Sequence, residues 1–339
     1  MPTTDLGLAS ASELIRLYRS GQASPIEATR AALARIDRHN AAVNAYVHVD
    51  SDGAMAAARA SEARWQRGAP LSEVDGVPSS IKDLAEVTGM PARAGSLTTS
   101  DARCDYDSPP ADFMKRAGAV ILGKTNTPEF GWKGVTDNRV FGATGNPWNP
   151  DKTAGGSSGG AASAAALNMG VLHQGSDSGG SIRIPAGFCG VFGFKPTFGW
   201  VPQWPPSKSA MLASIGPLTR HAEDGARMLN VIGRHHPDDL YSRGGQPADW
   251  GTAPVESLAG VRIAYSRDLG FASVNPQIAA AIDRVAAELR ALGAEIIEAD
   301  PGIDEPIDIY RKIWFTGARV LWEGLDADQR ELLDPGLAE

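Results

Sequence analysis

The chain has 339 residues, with 32 basic and 40 acidic side chains, a formal net charge of −8 and no basic block. That balance argues against direct binding to nucleic acid or to an acidic membrane surface. Its 38 glycines and 23 prolines suit a loop-rich globular protein, and two cysteines, Cys104 and Cys189, are too few for a disulfide scaffold and read as free thiols. Residues Met1 to Ala9 lack a basic segment followed by an apolar run, and no apolar stretch is long enough to span a bilayer. A cytoplasmic protein with no membrane contact is the resulting expectation.

Ser10 with Glu13, and Ser24-Pro25 with Glu27, fit the S-x-x-E capping box and predict two helix starts. Leu14 and Leu17 in the first, and Ile26, Leu33 and Ile36 in the second, recur at helical spacing. His39 and His48 have no other ligand-type residue at metal spacing and read as ordinary histidines. Gly76 to Asp83 (G-V-P-S-S-I-K-D) reads as a turn followed by a strand. Lys82 sits there between Ile81 and Leu84, where burial would lower its pKa toward neutrality and leave an amine able to act as a base. The competing reading is a surface lysine paired with Asp83. Ser79-Ser80-Ile81-Lys82 also fits S-x-x-K, but no K-T-G follows and a strand is the wrong setting.

Ser108-Pro109 is expected to cap a helix that Gly118 stops before a strand at Val120 to Leu122. Two glycine-serine clusters follow, Gly155 to Gly160 and Gly175 to Ser181, flanking an alanine-rich segment that reads as a helix. Tight turns of this kind can point main-chain N–H groups at a ligand, and a serine in one is a candidate nucleophile. A flexible linker fits poorly because both flanks are apolar, and a phosphate loop lacks its lysine. Gly156 to Gly160 also fits the G-x-S-x-G elbow, which needs a later acid and histidine, for which His173, His221, His235 and His236 are available.

Lys195 to Leu218 reads as a loop bearing Trp200, Trp204 and several prolines, and residues 234–256 as a polar surface connection. His235 and His236 beside Asp238 and Asp239 read there as solvated loop rather than metal site. Asn275-Pro276 opens a helix with Ile278, Ile282, Val285 and Leu289 along one face. Gly293 closes it before a strand at Glu295 to Glu298. Such alternation predicts an α/β layered architecture.

Taken together, I-K-D at Ile81 to Asp83, G-G-S-S-G-G at Gly155 to Gly160 and D-S-G-G-S-I-R at Asp177 to Arg183 resemble the amidase signature family, the Ser-cisSer-Lys amide hydrolases. Ala117 to Gly131, Phe141 to Pro150 and Ile184 to Thr197 extend the resemblance from about Ser10 to the 290s. It implies an α/β fold with a mixed central β-sheet covered by helices on both faces, as one domain over 1–339. Within it, N-terminal helices occupy 10–70, a catalytic core 71–233, and a C-terminal α/β part 257–339, with the family's usual C-terminal portion expected to be missing.

The same resemblance assigns Ser181 as nucleophile, Ser157 in a cis peptide as proton relay and Lys82 as base. The N–H groups of Ser178, Gly179, Gly180 and Ser181 are implied as oxyanion donors, with Ser158, Asp177 and Arg183 in support and Arg183 paired to a carboxylate. No metal or organic cofactor is implied. The expected activity is hydrolysis of a small acyl or aryl amide through an acyl-serine. Two alternatives stay open: the glutaminase component of a tRNA-dependent amidotransferase, its A subunit, which would bring partners, and an inactive, truncated relative. Ser209 to Pro217 lacks the S-L-D-Q-I-G-P wording of that amidotransferase component. A homodimer is compatible with either enzyme. Ser79 stands where the family usually has an apolar residue, and Trp200 where many members have Arg.

Overall fold

The computed structural model describes residues 5–243, 249–251 and 255–339, so Met1 to Thr4 and parts of the 234–256 connection lie outside the described residues. Two compact units emerge, one made of 1–252 with 317–339 and a smaller one of 253–316.

In the larger unit, α1 (Ala11–Arg19) and α2 (Pro25–Val43) start where the serines predict. Ser24 makes the full reciprocal box with Glu27, whereas at Ser10 only the serine half forms, because Glu13 turns toward Arg16. Next come β1 (Tyr46–Val49), α3 (Ser51–Gln66), β2 (Pro78–Lys82), α4 (Pro109–Arg116) and β3 (Val120–Thr125). Ser108 does not cap α4 as expected: its hydroxyl donates to the Glu86 carbonyl at 3.0 Å. A short hairpin of β4 (Gly145–Asn146) and β5 (Asn149–Thr153) leads into α5 (Gly159–Ala166), the predicted alanine-rich helix. After it run β6 (Leu172–Asp177), α6 (Arg183–Cys189), β7 (Phe192–Gly193), β8 (Ser214–Thr219) and α7 (Ala222–Ile232).

Six of these strands form a mixed sheet in the order β1-β3-β2-β6-β8-β7, with β2 parallel to both β3 and β6 and the outer pairings antiparallel. Strand β8 corrects the reading of 195–218 as loop throughout. Gly216 and Pro217 look like loop punctuation, yet all six residues of β8 are buried, and such a strand shows no alternation to read. Side-chain alternation splits the core in two. Ile81, Ile121, Leu172 and Ile215 pack with Ile15 of α1, Met114 of α4 and Met228 and Leu229 of α7. Val120 and Leu122 pack on the opposite face with α2, α3 and α5. Lys82, one residue beyond Ile81, therefore turns toward the α5 face.

The smaller unit contains β9 (Arg262–Tyr265), α8 (Pro276–Ala291) and β10 (Glu295–Glu298), and β9 and β10 pair in parallel. The predicted α8 stripe exists as a helix face, but Ile278, Ile282 and Val285 remain exposed. Helix α9 (Ile307–Glu323) begins in this unit and ends in the larger one, where α10 (Ala327–Glu331) and α11 (Pro335–Ala338) follow. No helix among the described residues is long and apolar enough to cross a membrane.

Small residues let α5 approach the sheet. A β-carbon at Gly160 would stand 2.4 Å from Asn126 N and 2.5 Å from Ala45 O, both main-chain atoms that cannot step aside. Gly160→Ala is expected to lower stability by about 1–3 kcal/mol, read as a drop in thermal midpoint; an unchanged midpoint would contradict the close approach.

Candidate active site

Lys82 ends β2, and its side chain is fully buried among hydroxyls. Its Nζ lies 2.6 Å from Ser157 Oγ, 3.0 Å from Ser158 Oγ and 3.1 Å from Ser176 Oγ. The main chain of Lys82 is fixed as well, since its N–H donates to Gln174 Oε1 at 2.9 Å. Lys82 does not pair with Asp83. Asp83 is itself buried and binds Lys124 Nζ at 3.1 Å, so the surface-lysine alternative is set aside.

Burial without a touching carboxylate disfavours the ammonium form, and the Lys82 pKa falls to about 7 even though the charge of Asp177 pulls it upward. A neutral amine offers two N–H donors and one lone pair, which three hydroxyls can satisfy. Ser158 Oγ donates its own proton to the Ser176 carbonyl at 3.2 Å and so accepts from Lys82. Ser157 and Ser176 are left to face the lone pair, Ser157 being the nearer.

Ser157 follows Gly156 through a cis peptide bond. Glycine is required there for space, because a β-carbon on Gly156 would come within 2.7 Å of three main-chain atoms of Val135. The two glycine-serine clusters meet directly: Ser158 N–H donates to the Ser181 carbonyl at 3.0 Å, and Ser176 N–H donates to Ser158 Oγ at 3.2 Å. Ser181 is 8 % exposed, and its hydroxyl has no hydrogen-bond partner among the described residues.

Asp177 organises the turn that carries Ser181. Its carboxylate accepts from the N–H groups of Gly180 (2.7 Å), Ile182 (3.1 Å) and Arg183 (3.3 Å), and from both arms of the Arg183 guanidinium at 2.9 Å. Burial alone would raise the Asp177 pKa, but Arg183 and the N–H groups outweigh it and the net direction is down. Gly180 takes φ of +116°, a conformation glycine adopts freely. One expectation needs correcting here. The Gly180 N–H, assigned to the oxyanion set, turns inward to Asp177, whereas the N–H groups of Ser178, Gly179 and Ser181 meet no main-chain or side-chain acceptor among the described residues.

Other candidates lie elsewhere or do other things. His173 is fully buried, its Nδ1 lies 2.8 Å from Ser80 Oγ, and burial drops its pKa to about 4, so the elbow reading finds no poised histidine in it. His236 sits beside Asp238 at 3.8 Å, with no third metal ligand grouped near it among the described residues. Trp200 packs with Trp250 against the core, and Trp204 packs edge-on to Tyr106. Ser176 falls within the second glycine-serine cluster, but its contact with Lys82 escapes the sequence reading and shows only once β6 is laid beside β2.

Asp177→Asn is expected to cost about 1–3 kcal/mol, because an amide presents N–H where the turn supplies donors. A lowered thermal midpoint with faster amide exchange at Gly180 and Ile182 checks this, and an unchanged midpoint would contradict it.

The Amidase family model matches residues 27–330. An acylamidase from Rhodococcus erythropolis is 36% identical over 342 aligned positions, covering 100% of this chain and 72% of that protein. The A subunit of the glutamyl-tRNA(Gln) amidotransferase from Salinispora arenicola is 39% identical over 300 residues, covering 87% of this chain but 61% of that protein. Among solved structures, a bacterial aryl acylamidase of the amidase signature enzymes superposes with a TM-score of 0.89 at 31% identity, over 97% of this chain and 71% of the other. The 6-aminohexanoate cyclic dimer hydrolase gives 0.84 at 31%, over 99% and 70%. This chain belongs to the amidase family of amide-hydrolysing enzymes.

Proposed function

We propose that the protein hydrolyses the C–N bond of a small acyl or aryl amide through an acyl-enzyme on Ser181. The observation that carries this reading is the Lys82 amine, buried, held near neutrality and 2.6 Å from Ser157 Oγ. Ser181 Oγ attacks the amide carbonyl while its proton passes to Ser157 and the Ser157 proton passes to Lys82 Nζ. The N–H groups of Gly179 and Ser181, with that of Ser178, stabilise the oxyanion. A missing donor in such a set typically costs about 3 kcal/mol of barrier. Collapse of the tetrahedral adduct breaks the C–N bond, and the proton returns along the relay to the departing amine. Water, activated by the same relay, then releases the carboxylate and restores Ser181. Asp177 and Arg183 hold the nucleophile's turn, and Ser158 and Ser176 orient the amine. The reading needs no metal or organic cofactor.

The likeness to the acylamidase and to the aryl acylamidase structure supports the substrate class. The alternative, the glutaminase component of an amidotransferase, draws on the relatives of that name, and carries with it partner proteins and glutamine as ammonia donor. The Ser209 to Pro217 wording favours the stand-alone enzyme.

Ser181→Ala is expected to abolish amide turnover and Lys82→Ala nearly to abolish it, and undiminished turnover in Ser181→Ala would overturn the assignment. Protonation below about pH 7 removes the Lys82 lone pair, so kcat/KM should fall as pH drops through about 7 and level off above it. A profile flat down to about pH 5 would contradict the lysine base.

A further inference from the structure

Beside Ser157 lies a turn with an unusual backbone. Phe130 and Gly131 both have positive φ, +50° and +74°, the first a conformation that a bulky side chain disfavours. A β-carbon on Gly131 would stand 3.3 Å from Ser157 Oγ and 2.8 Å from Leu84 Cδ1, so this turn forms the wall against the relay hydroxyl. Strained backbone of this sort persists only where its surroundings over-determine it.

The residue before the turn is Glu129, a buried carboxylate. Glu129 is 3 % exposed and meets no cationic side chain within ion-pair distance among the described residues, yet both its oxygens are used. Ser96 Oγ donates to Oε1 at 2.6 Å, and the Asp334 N–H donates to Oε2 at 2.5 Å. Each tie is reinforced alongside. Phe130 N–H donates to the Ala94 carbonyl at 2.8 Å, joining the wall to the turn that carries Ser96. Lys133 Nζ binds Asp334 at 3.0 Å and Asp137 at 2.9 Å, and Arg139 donates to the carbonyls of Leu332 and Leu333 at 3.2 Å.

We propose that Glu129 is a positioning residue of the hydrolytic site. It pins the Phe130–Gly131 wall between the turn at Ser96 and the Leu332–Asp334 segment, and so fixes where Ser157 Oγ can sit between Ser181 and Lys82. This rests on the relay role of Ser157 given above. The bond from Ser157 to Lys82 Nζ is in place at 2.6 Å, while the one to Ser181 has to form during turnover, and a displacement of about 1 Å in such a geometry can cost about 100-fold in rate. The Leu332–Asp334 segment thereby acts on the site through Glu129 without touching substrate.

The test is the rate at which a fluorophosphonate labels Ser181 in the full chain, read beside amide exchange at 130–132 and 95–98 and the thermal midpoint. Glu129→Gln keeps the shape but turns an N–H toward one of the two donors. It is expected to label about 10- to 100-fold more slowly, with faster exchange in both segments and the pH midpoint of labelling still near 7, since the burial that lowers the Lys82 pKa is retained. Ser96→Ala removes a single tie and should slow labelling less, in the same direction. Should Glu129→Gln label at the parent rate while Ser157→Ala is slow, the positioning role is overturned and the hydrolytic reading stands. Parent-rate labelling of both Ser157→Ala and Lys82→Ala, or no label on the parent chain, overturns the hydrolytic reading and with it the catalytic role of Glu129. Unchanged exchange at 130–132 in Glu129→Gln then overturns the pin as well.

Discussion

The architecture is arranged around one buried amine. Placing Lys82 at the end of a strand, beneath α5 and away from any touching carboxylate, costs the charged form its hydration, and the group relaxes to a pKa of about 7. A salt bridge there would have restored the charge and raised the pKa again. The neighbouring Asp83 shows how that is avoided: its carboxylate is taken by Lys124, itself fully buried, on the adjacent strand. Asp177, the other nearby carboxylate, is occupied by Arg183 and three N–H groups, so its charge reaches Lys82 only as a long-range pull.

Everything that surrounds the amine is a consequence of making room for three hydroxyls. Helix α5 must come close enough for Ser157 and Ser158 to reach Nζ, which is why its start is glycine-rich and the strand β6 carries Gly175 beside it. A β-carbon on Gly175 would stand 2.9 Å from Ser158 Oγ, and one on Gly160 would strike the main chain of Asn126. The same compression makes the site rigid. Its walls are main chain and buried polar side chains, and each oxygen of Glu129 and Asp177 is committed to a named donor.

Local chemistry made much of this readable from sequence alone. The capping box at Ser24, the alanine run of α5 and the α8–β10 unit rest on neighbours within a few residues, and periodicity and turn chemistry report those directly. The clusters containing Lys82, Ser157, Ser158, Asp177 and Arg183 stood out by their composition and their resemblance to a known family, and the fold joins the Lys82 side chain to those of Ser157 and Ser158, and that of Asp177 to Arg183. What stayed hidden depends on long-range packing. Strand β8 is buried on both faces and punctuated by Gly216 and Pro217, so it carries no period. Ser176 looks like any strand serine until β6 is laid beside β2. Ser108 and Glu13 have the right spacing for caps, and each finds a different partner once the chain is folded. Glu129 lies in the Ala117 to Gly131 match but gave no sign of what it holds, because its two donors lie 33 and 205 residues away in sequence.

The central claim is that the fold lowers the Lys82 pKa to about 7, so that a large share of the amine is neutral near that pH. Titrating the side-chain nitrogen of Lys82 by NMR in the intact chain, with Lys82→Met used to assign the resonance, measures this directly. The account predicts a midpoint near 7, whereas a midpoint near the ordinary lysine value of about 10.4 would contradict it.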